Sequence, residues 1–202
     1  MIPKTVLEQR GTYWENRIKV FLAEDVPENP VVFIGDSLTE RFAVEKYFGP
    51  GFINRGIGGD HADGLFERRE LMALDKNPKA VFLMVGINDL LFDYQRDQIP
   101  QNIEKILTYI KEKVSNCDLF IQSICPVKNW DTTSPAEITA INRELRELAA
   151  KLGATYIDLY PHFADENGFM REEYTIDGVH LSEKGNDLWA SLLGEYIKPY
   201  KS

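Results

Sequence analysis

The sequence predicts an α/β protein in which one five-stranded parallel sheet lies between two layers of helices. Two observations lead to this prediction. Short apolar runs alternate along the chain with longer amphipathic stretches, which is typical of chains built from β-α-β units. Several of these runs are apolar at consecutive positions, and such strands are buried on both faces by helices packed on either side of a parallel sheet.

The predicted elements follow in order along the chain. Residues 5–22 predict an N-terminal helix packed outside the sheet, and the residues after the first strand suit a short helix that begins near Ser37. Apolar residues spaced by three or four positions predict two longer helices, and Ser182 is a candidate N-cap for a last helix that ends before Pro199. The predicted strands are 31–34, 52–54, 80–85, 119–124 and 155–158, and the two longer helices are 99–114 and 135–152.

The length of 202 residues favours a single domain over 1–202, in which residues 1–28 supply the N-terminal helix and its lead-in. No apolar run approaches the ~20 residues of a membrane-spanning helix, and charged residues interrupt the N-terminal segment. We therefore expect neither a signal peptide nor a membrane anchor. The 32 acidic and 23 basic side chains give a net charge of −9, which repels phosphate backbones, so we expect no nucleic-acid partner.

The chain has two cysteines, Cys117 and Cys125, which flank the fourth predicted strand. Two thiols placed along one strand are not expected to pair. We expect both to be buried free thiols in a reducing compartment, and hence a cytoplasmic protein. The oligomeric state is not predicted, and a homodimer is left open.

Chemistry-bearing residues follow the predicted strands, where α/β sheets bind their ligands. Ser37 follows the first strand, at the start of a short helix. Three glycines among residues 56–59 follow the second strand, and Asn88 follows the third. Near the C-terminus, Asp177 stands three residues before His180. Because these segments converge on one edge of one sheet, we expect the residues to form a common site.

These residue types suit acyl transfer. A neutral imidazole at His180 can accept the proton of the Ser37 hydroxyl during attack on a carbonyl, and Asp177 can orient the ring and stabilise its charged form. The amide of Asn88 and backbone N–H groups can hold the oxyanion that forms.

Other interpretations remain open at this point. Ser37 can simply cap its helix, Asn88 can form an Asx turn, and the glycines can form a tight turn without a ligand. A dinucleotide loop does not fit, because His61 stands where the last glycine of G-x-G-x-x-G is required. A second hypothesis is a hydrolytic metal site formed by Asp36, Asp89, Asp177 and His180. No spacing among these four residues matches a metal-binding motif.

Four short blocks resemble the SGNH, or GDSL, hydrolase superfamily and occur in the family's order. They are Gly35-Asp36-Ser37-Leu38, residues 54–60, Gly86-Ile87-Asn88-Asp89 and Asp177-Gly178-Val179-His180. The second and third blocks are most similar to the branch that contains platelet-activating-factor acetylhydrolase-type proteins and many bacterial acylhydrolases. The resemblance implies a flavodoxin-like three-layer α/β/α fold and serine esterase activity without a cofactor or metal.

The resemblance also implies roles for individual residues. Ser37 matches the nucleophile, and Asp177 and His180 match the remaining members of the triad. The oxyanion hole would be formed by the N–H of Ser37, the N–H of Gly59 and the amide of Asn88. Gly59 is chosen over the neighbouring glycines because it stands five residues after Asn54 and directly before Asp60, as in the family block.

We therefore expect an esterase that removes a short acyl group, in particular acetyl, from a small molecule or a carbohydrate. Two alternatives are a lysophospholipase- or thioesterase-type acylhydrolase acting on longer chains, and a binding module that keeps this fold without turnover. Asn129 and Trp130, which follow the fourth strand, are candidates for a pocket wall, although a plain surface loop fits them equally well.

Overall fold

A computed structural model describes the backbone of residues 4–201 and the side chains of residues 11–201. Its sheet has five strands, all parallel, in the order β2-β1-β3-β4-β5. The prediction of a five-stranded parallel sheet is therefore confirmed. The strands are β1 (Val31–Gly35), β2 (Phe52–Gly56), β3 (Ala80–Met84), β4 (Asp118–Gln122) and β5 (Thr155–Ile157).

The strand order fixes where a ligand site can form. From β1 the chain crosses first to β2 on one side and then to β3 on the other. In sheets of this flavodoxin-like order, ligands bind at the carboxyl ends of β1 and β3, where the direction of winding reverses. Ser37 and Asn88 follow these two strands.

The α-helices in the described part of the chain include every helix that the sequence predicts. The 135–152 helix has the predicted bounds, and Ser182 caps the last helix, because its hydroxyl accepts the N–H of Gly185 at 3.2 Å. Four short helices, α3, α4, α5 and α8, were not predicted. The helices are α1 (Lys4–Ala23), α2 (Ser37–Arg41), α3 (Val44–Phe48), α4 (Ala62–Glu67), α5 (Ile87–Leu91), α6 (Ile99–Lys113), α7 (Pro135–Leu152), α8 (Tyr160–Phe163) and α9 (Glu183–Ile197).

The two faces of the sheet bury different kinds of side chain. Val32 and Ile34 of β1 join an aliphatic core with α6 and α7, whereas Phe33 faces an aromatic core with Trp189 of α9. The rings of Phe33 and Phe82 stack with centroids 4.8 Å apart, and those of Phe82 and Phe120 stack at 4.2 Å. Consecutive strand residues thus enter opposite cores, which accounts for the uninterrupted apolar runs in the sequence.

Helix α1 packs against the end of β2. The ring of Phe21 lies under the guanidinium group of Arg55, 4.7 Å from its centroid, and Glu24 forms an ion pair with Arg55. Arg55 itself is 1% exposed. A buried guanidinium group is costly unless it is paired, so Glu24, directly after α1, offsets that cost at this strand end.

The two cysteines are free in the structure, but they differ in burial. Cys125 is buried, and burial raises the pKa of its thiol to about 12. The prediction that both cysteines are buried is wrong for Cys117, which is only partly buried in the connection from α6 to the start of β4.

In the part of the chain that the structure describes, no helix has the length and apolar character required to cross a membrane.

Candidate active site

Ser37 lies at the first position of α2, directly beyond the carboxyl end of β1. The N-cap of α2 is Asp36, whose side chain accepts the N–H of Leu38 at 3.0 Å. The interpretation of Ser37 as a helix cap is therefore wrong, because the preceding carboxylate already performs that role. The Ser37 hydroxyl instead faces the C-terminal part of the chain.

The structure places His180 between Ser37 and Asp177. The Nε2 atom of His180 lies 3.0 Å from Oγ of Ser37, although the two residues are 143 positions apart in sequence. Its Nδ1 atom lies 2.6 Å from Oδ2 of Asp177. Because a carboxylate can only accept, the proton of a neutral ring belongs on Nδ1, which leaves the Nε2 lone pair facing the serine hydroxyl.

Asp177 is held by more than the histidine ring. Its Oδ1 atom accepts the backbone N–H groups of Val179 at 3.0 Å and His180 at 2.8 Å. Partial burial raises the pKa of Asp177, but the hydrogen bonds from the His180 ring and from these two N–H groups outweigh it, and the net pKa is lowered. The carboxylate is thus ionised where it faces the imidazole, as the stabilisation of an imidazolium requires.

The loop that carries Asp177 and His180 is fixed against the segment after β4. Backbone N–H of Lys128 donates to O of Gly178 at 2.8 Å, and Gly178 has φ +93°. A Cβ at this glycine would overlap the Lys128 carbonyl. Close approach and positive φ both require glycine here, so the backbone beside the His180 side chain is set by this contact.

The same segment contains the candidate wall residues. Asn129 has φ +63°, and Trp130 is partly buried against the aliphatic core. Both residues stand next to the Lys128 contact with the His180 loop. A role of either one in a pocket wall stays a prediction.

Asn88 lies within α5 and is 6% exposed. Its Nδ2 atom donates to the backbone O of Asp60 at 2.9 Å, which ties α5 to the loop after β2. The Asx-turn interpretation of Asn88 is therefore wrong, because the side chain reaches across to another segment. A primary amide has two N–H bonds. One of them donates to Asp60, and the second can donate to another acceptor.

The glycine loop after β2 passes beside Ser37. The position that a Cβ on Gly58 would occupy lies 3.6 Å from Cβ of Ser37. The N–H of Gly56 donates to Oδ1 of Asn54 at 2.8 Å, and the N–H of Gly58 donates to Oε2 of Glu40 at 2.6 Å. Gly59, with φ +78°, follows next and precedes the residue that Asn88 holds. The role of Gly59 as an oxyanion donor stays a prediction.

Buried charges hold this loop to the rest of the site. The side chains of Asp60 and Arg68 are 0% exposed, and Nε of Arg68 lies 2.5 Å from Oδ2 of Asp60. Arg68 also donates to the carbonyl of Gly35, at the end of β1, at 3.0 Å. This pair therefore joins the glycine loop to the strand end that carries Ser37. This ion pair was not predicted from the sequence. The sequence signal for it was Asp60, an acidic residue at the end of a glycine-rich loop.

Two further carboxyl groups are buried at the site. Burial raises the pKa of Asp36 to about 7 and that of Asp89 to about 8. Asp89 accepts the N–H of Ala62 with its two oxygens, at 3.1 and 3.3 Å, and so fixes the start of α4. Within the described residues, no group of three or more His, Cys, Asp and Glu side chains could hold a metal ion. The four residues of the metal-site hypothesis do not form such a group.

The remaining histidines, His61 and His162, are not members of the hydrogen-bonded series that joins Ser37, His180 and Asp177. His162 is exposed on the surface of α8. His61 lies in the loop before α4, but it is 1% exposed and its ring centroid lies 4.6 Å from that of Tyr94. It is a core residue of the loop rather than a surface one.

The fold and the site together define the class of protein: an α/β protein of flavodoxin-like strand order that carries a hydrogen-bonded Ser-His-Asp array beyond β1. The chain belongs to the GDSL-like lipase/acylhydrolase family, whose family model matches residues 33–188. The resemblance found in the four sequence blocks is thereby confirmed, and the protein is placed among hydrolases.

Relatives with known structures and curated names are similar over most of this chain. A protein from "Streptococcus pneumonia", provisionally described as a platelet activating factor, is 25% identical, with a TM-score of 0.85 over 95% of this chain and 94% of that one. An acetylxylan esterase from Geobacillus stearothermophilus is 17% identical, with a TM-score of 0.68 over 86% of this chain and 95% of that one, and this likeness shows the fold alone.

The curated relatives are longer proteins. An N-acylneuraminate cytidylyltransferase from Streptococcus agalactiae is 25% identical over 193 residues, which are 93% of this chain and 45% of that enzyme. The chain thus spans less than half the length of this relative.

Proposed function

We propose that the protein is a serine esterase that hydrolyses carboxylic esters through an acyl-serine intermediate. The observation that carries this proposal is the continuous hydrogen-bonded series from Asp177 through His180 to Ser37. Membership of an acylhydrolase family supports it. The reaction class is therefore acyl transfer to Ser37 and then to water.

In the first step His180 Nε2 takes the hydroxyl proton while Oγ of Ser37 attacks the ester carbonyl carbon. The imidazolium is stabilised by the ionised Asp177 at 2.6 Å. When the tetrahedral intermediate collapses, the ester C–O bond breaks, and the imidazolium gives its proton to the leaving alcohol. Water then attacks the acyl-serine, His180 takes a proton from that water, and the carboxylic acid leaves as the proton returns to Ser37.

The negative oxygen of each tetrahedral intermediate would be held by three donors. These are the backbone N–H of Ser37 at the start of α2, the backbone N–H of Gly59 and the second N–H of the Asn88 amide. The loop that carries Gly59 and helix α5, which carries Asn88, are joined through the Asp60 carbonyl. Donors fixed before the reaction begins stabilise the transition state without reorganising during it.

For the substrate, we propose a short acyl group, in particular acetyl, carried by a small molecule or a carbohydrate. The curated relatives include an enzyme named for an N-acylated sugar acid, and an acetylxylan esterase shares the fold. A longer acyl chain is the alternative within the same chemistry. A non-catalytic binding module is the alternative outside it. A cytoplasmic location and the absence of nucleic-acid partners stay predictions from the sequence.

The proposal is tested with a fluorophosphonate probe and a series of nitrophenyl esters of increasing acyl length. We expect covalent labelling at Ser37 and the highest kcat/KM with acetate. Ser37→Ala should lose both labelling and hydrolysis while the melting temperature stays close to that of the parent. Ser115→Ala, at an exposed serine, is the matched control and should remain fully active.

Each alternative has its own outcome in these assays. Preference for long acyl chains would indicate a lysophospholipase- or thioesterase-type substrate, and the proposed acyl-serine chemistry would be unchanged. A chain that folds but neither reacts with the probe nor cleaves any ester would be a binding module. Acetylated xylo-oligosaccharides and an acetyl ester of N-acylneuraminate complete the panel and separate the two carbohydrate classes named by the relatives.

A further inference from the structure

Glu40 connects the helix that begins at Ser37 to the glycine loop. It stands one helical turn after Ser37 in α2, and its side chain is 13% exposed. Its Oε2 atom accepts the N–H of Gly58 at 2.6 Å. The carboxylate therefore bridges the element that carries the proposed nucleophile and the loop that carries the proposed Gly59 donor.

Helix α1 holds the other oxygen of this carboxylate. The hydroxyl of Tyr13 donates to Oε1 of Glu40 at 2.5 Å, and Nε of Arg17 lies 2.8 Å from the same oxygen. One carboxylate thus meets a backbone N–H, a phenol and a guanidinium group from two different segments. The guanidinium group also offsets a negative charge that would otherwise oppose an oxyanion forming nearby.

Two side-chain contacts hold the residues on either side of Gly59. Gly58 is held by Glu40 through its N–H, and Asp60 is held by Asn88 through its carbonyl at 2.9 Å. Gly59 lies between them at φ +78°, a conformation that glycine adopts without strain. If the Glu40 contact is lost, the N–H of Gly58 loses this acceptor and the loop is held less firmly before Gly59.

We propose that Glu40 is a positioning residue for the oxyanion hole, and that α1 supports catalysis by holding Glu40 through Tyr13 and Arg17. This inference rests on the proposed esterase function. Glu40 contacts neither the acyl group nor the alcohol. It acts through Gly58, by accepting that N–H and so holding in place the loop that carries the proposed Gly59 donor.

The first test compares Glu40→Ala with Glu40→Gln, with kcat expressed per active site titrated by the fluorophosphonate probe. We expect Glu40→Ala to lower kcat roughly 10- to 100-fold, within the loss expected for a weakened oxyanion donor, with KM changed less than about threefold. Glu40→Gln keeps an oxygen that can accept the Gly58 N–H, so we expect it to recover most of the lost kcat.

The second test uses a matched pair of tyrosines. Tyr13→Phe removes the hydroxyl bonded to Glu40, and Tyr47→Phe removes a hydroxyl that donates to Asp187 at 2.8 Å, between α3 and α9. We expect Tyr13→Phe to lower kcat about threefold to tenfold and Tyr47→Phe to leave it unchanged. A boronic acid, which forms a tetrahedral adduct with a reactive serine, should lose affinity in proportion to kcat/KM across the series.

The outcomes separate this inference from the proposed function. A parent protein that neither labels nor cleaves esters would overturn both. A parent that is active, together with a Glu40→Ala variant whose kcat per titrated site stays within twofold, would overturn the positioning role alone. Equal losses for Glu40→Gln and Glu40→Ala would also contradict it. If Glu40→Ala does not fold, the Glu40→Gln and Tyr13→Phe measurements decide the question.

Discussion

Replacing Asp177 with asparagine changes the proton positions of the proposed triad with little change of shape. Oδ1 of Asp177 accepts two backbone N–H groups, and the amide oxygen of asparagine can keep both. The amide NH₂ then occupies the place of Oδ2, 2.6 Å from Nδ1 of His180. Because this group donates, Nδ1 must accept, and the ring proton moves to Nε2. A protonated Nε2 cannot take the proton of Ser37.

The size of the loss follows from the exposure of this side chain. In a buried triad the same change lowers kcat by about 10⁴. Asp177 has 48% of its side chain exposed, so its replacement amide can turn toward water and allow the productive tautomer part of the time. We therefore expect kcat to fall by roughly 10² to 10⁴, with little change in melting temperature.

The assay is steady-state hydrolysis of nitrophenyl acetate. Asp165→Asn is a matched control, because Oδ1 of Asp165 also accepts two backbone N–H groups, from Asn167 and Phe169, both at 2.9 Å, and among the described residues no histidine forms a hydrogen bond with it. The control should keep full activity. If Asp177→Asn stays within tenfold of the parent, the carboxylate does not set the tautomer and the argument is refuted.

Three further predictions concern the donors, the glycine loop and the buried carboxyl groups. Asn88→Ala should lower kcat about 10²- to 10³-fold with little effect on KM, and an unchanged kcat would remove Asn88 from the oxyanion hole. Gly56→Ala should lower the free energy of unfolding in urea by about 1–3 kcal/mol, because its Cβ would overlap the Glu40 backbone, whereas Gly194→Ala, with open space around it, should not. Burial raises the pKa of Asp89 to about 8. The stability that its neutral carboxyl group contributes is therefore fully present below pH ~4 and is lost as the pH rises through 8. Asp89→Asn should show a smaller difference between the urea midpoints at pH 5 and pH 9 than the parent.

The strands and long helices were predictable because the burial of an element requires apolar residues at positions that the sequence shows directly. A strand such as β3, covered on both faces, reads as a continuous apolar run, and α7 shows apolar residues at helical spacing between Pro135 and the turn at Gly153. The helices that were not predicted, α3, α4, α5 and α8, have four to six residues. Segments of this length complete less than two turns, so they show no period that could distinguish them from loops.

The site was predictable only in part. Ser37, Asn88, Asp177 and His180 stand in short motifs directly after strands or in one local turn, and the topology brings such segments together. The supporting residues carry no such signal. A buried ion pair such as Asp60 with Arg68 is stable only where tertiary structure provides both partners, and no local pattern distinguishes that arginine from a surface one.

The order in which the groups of the site occur along the chain has a consequence for the protein during its synthesis. The serine leaves the ribosome early, with β1, and all five strands have been made by residue 157. His180 follows later, in the loop fixed against Lys128. A nascent chain can therefore complete its sheet before it holds a proton acceptor, and by the chemistry proposed for this site it cannot turn over esters until its C-terminal segment has emerged and docked.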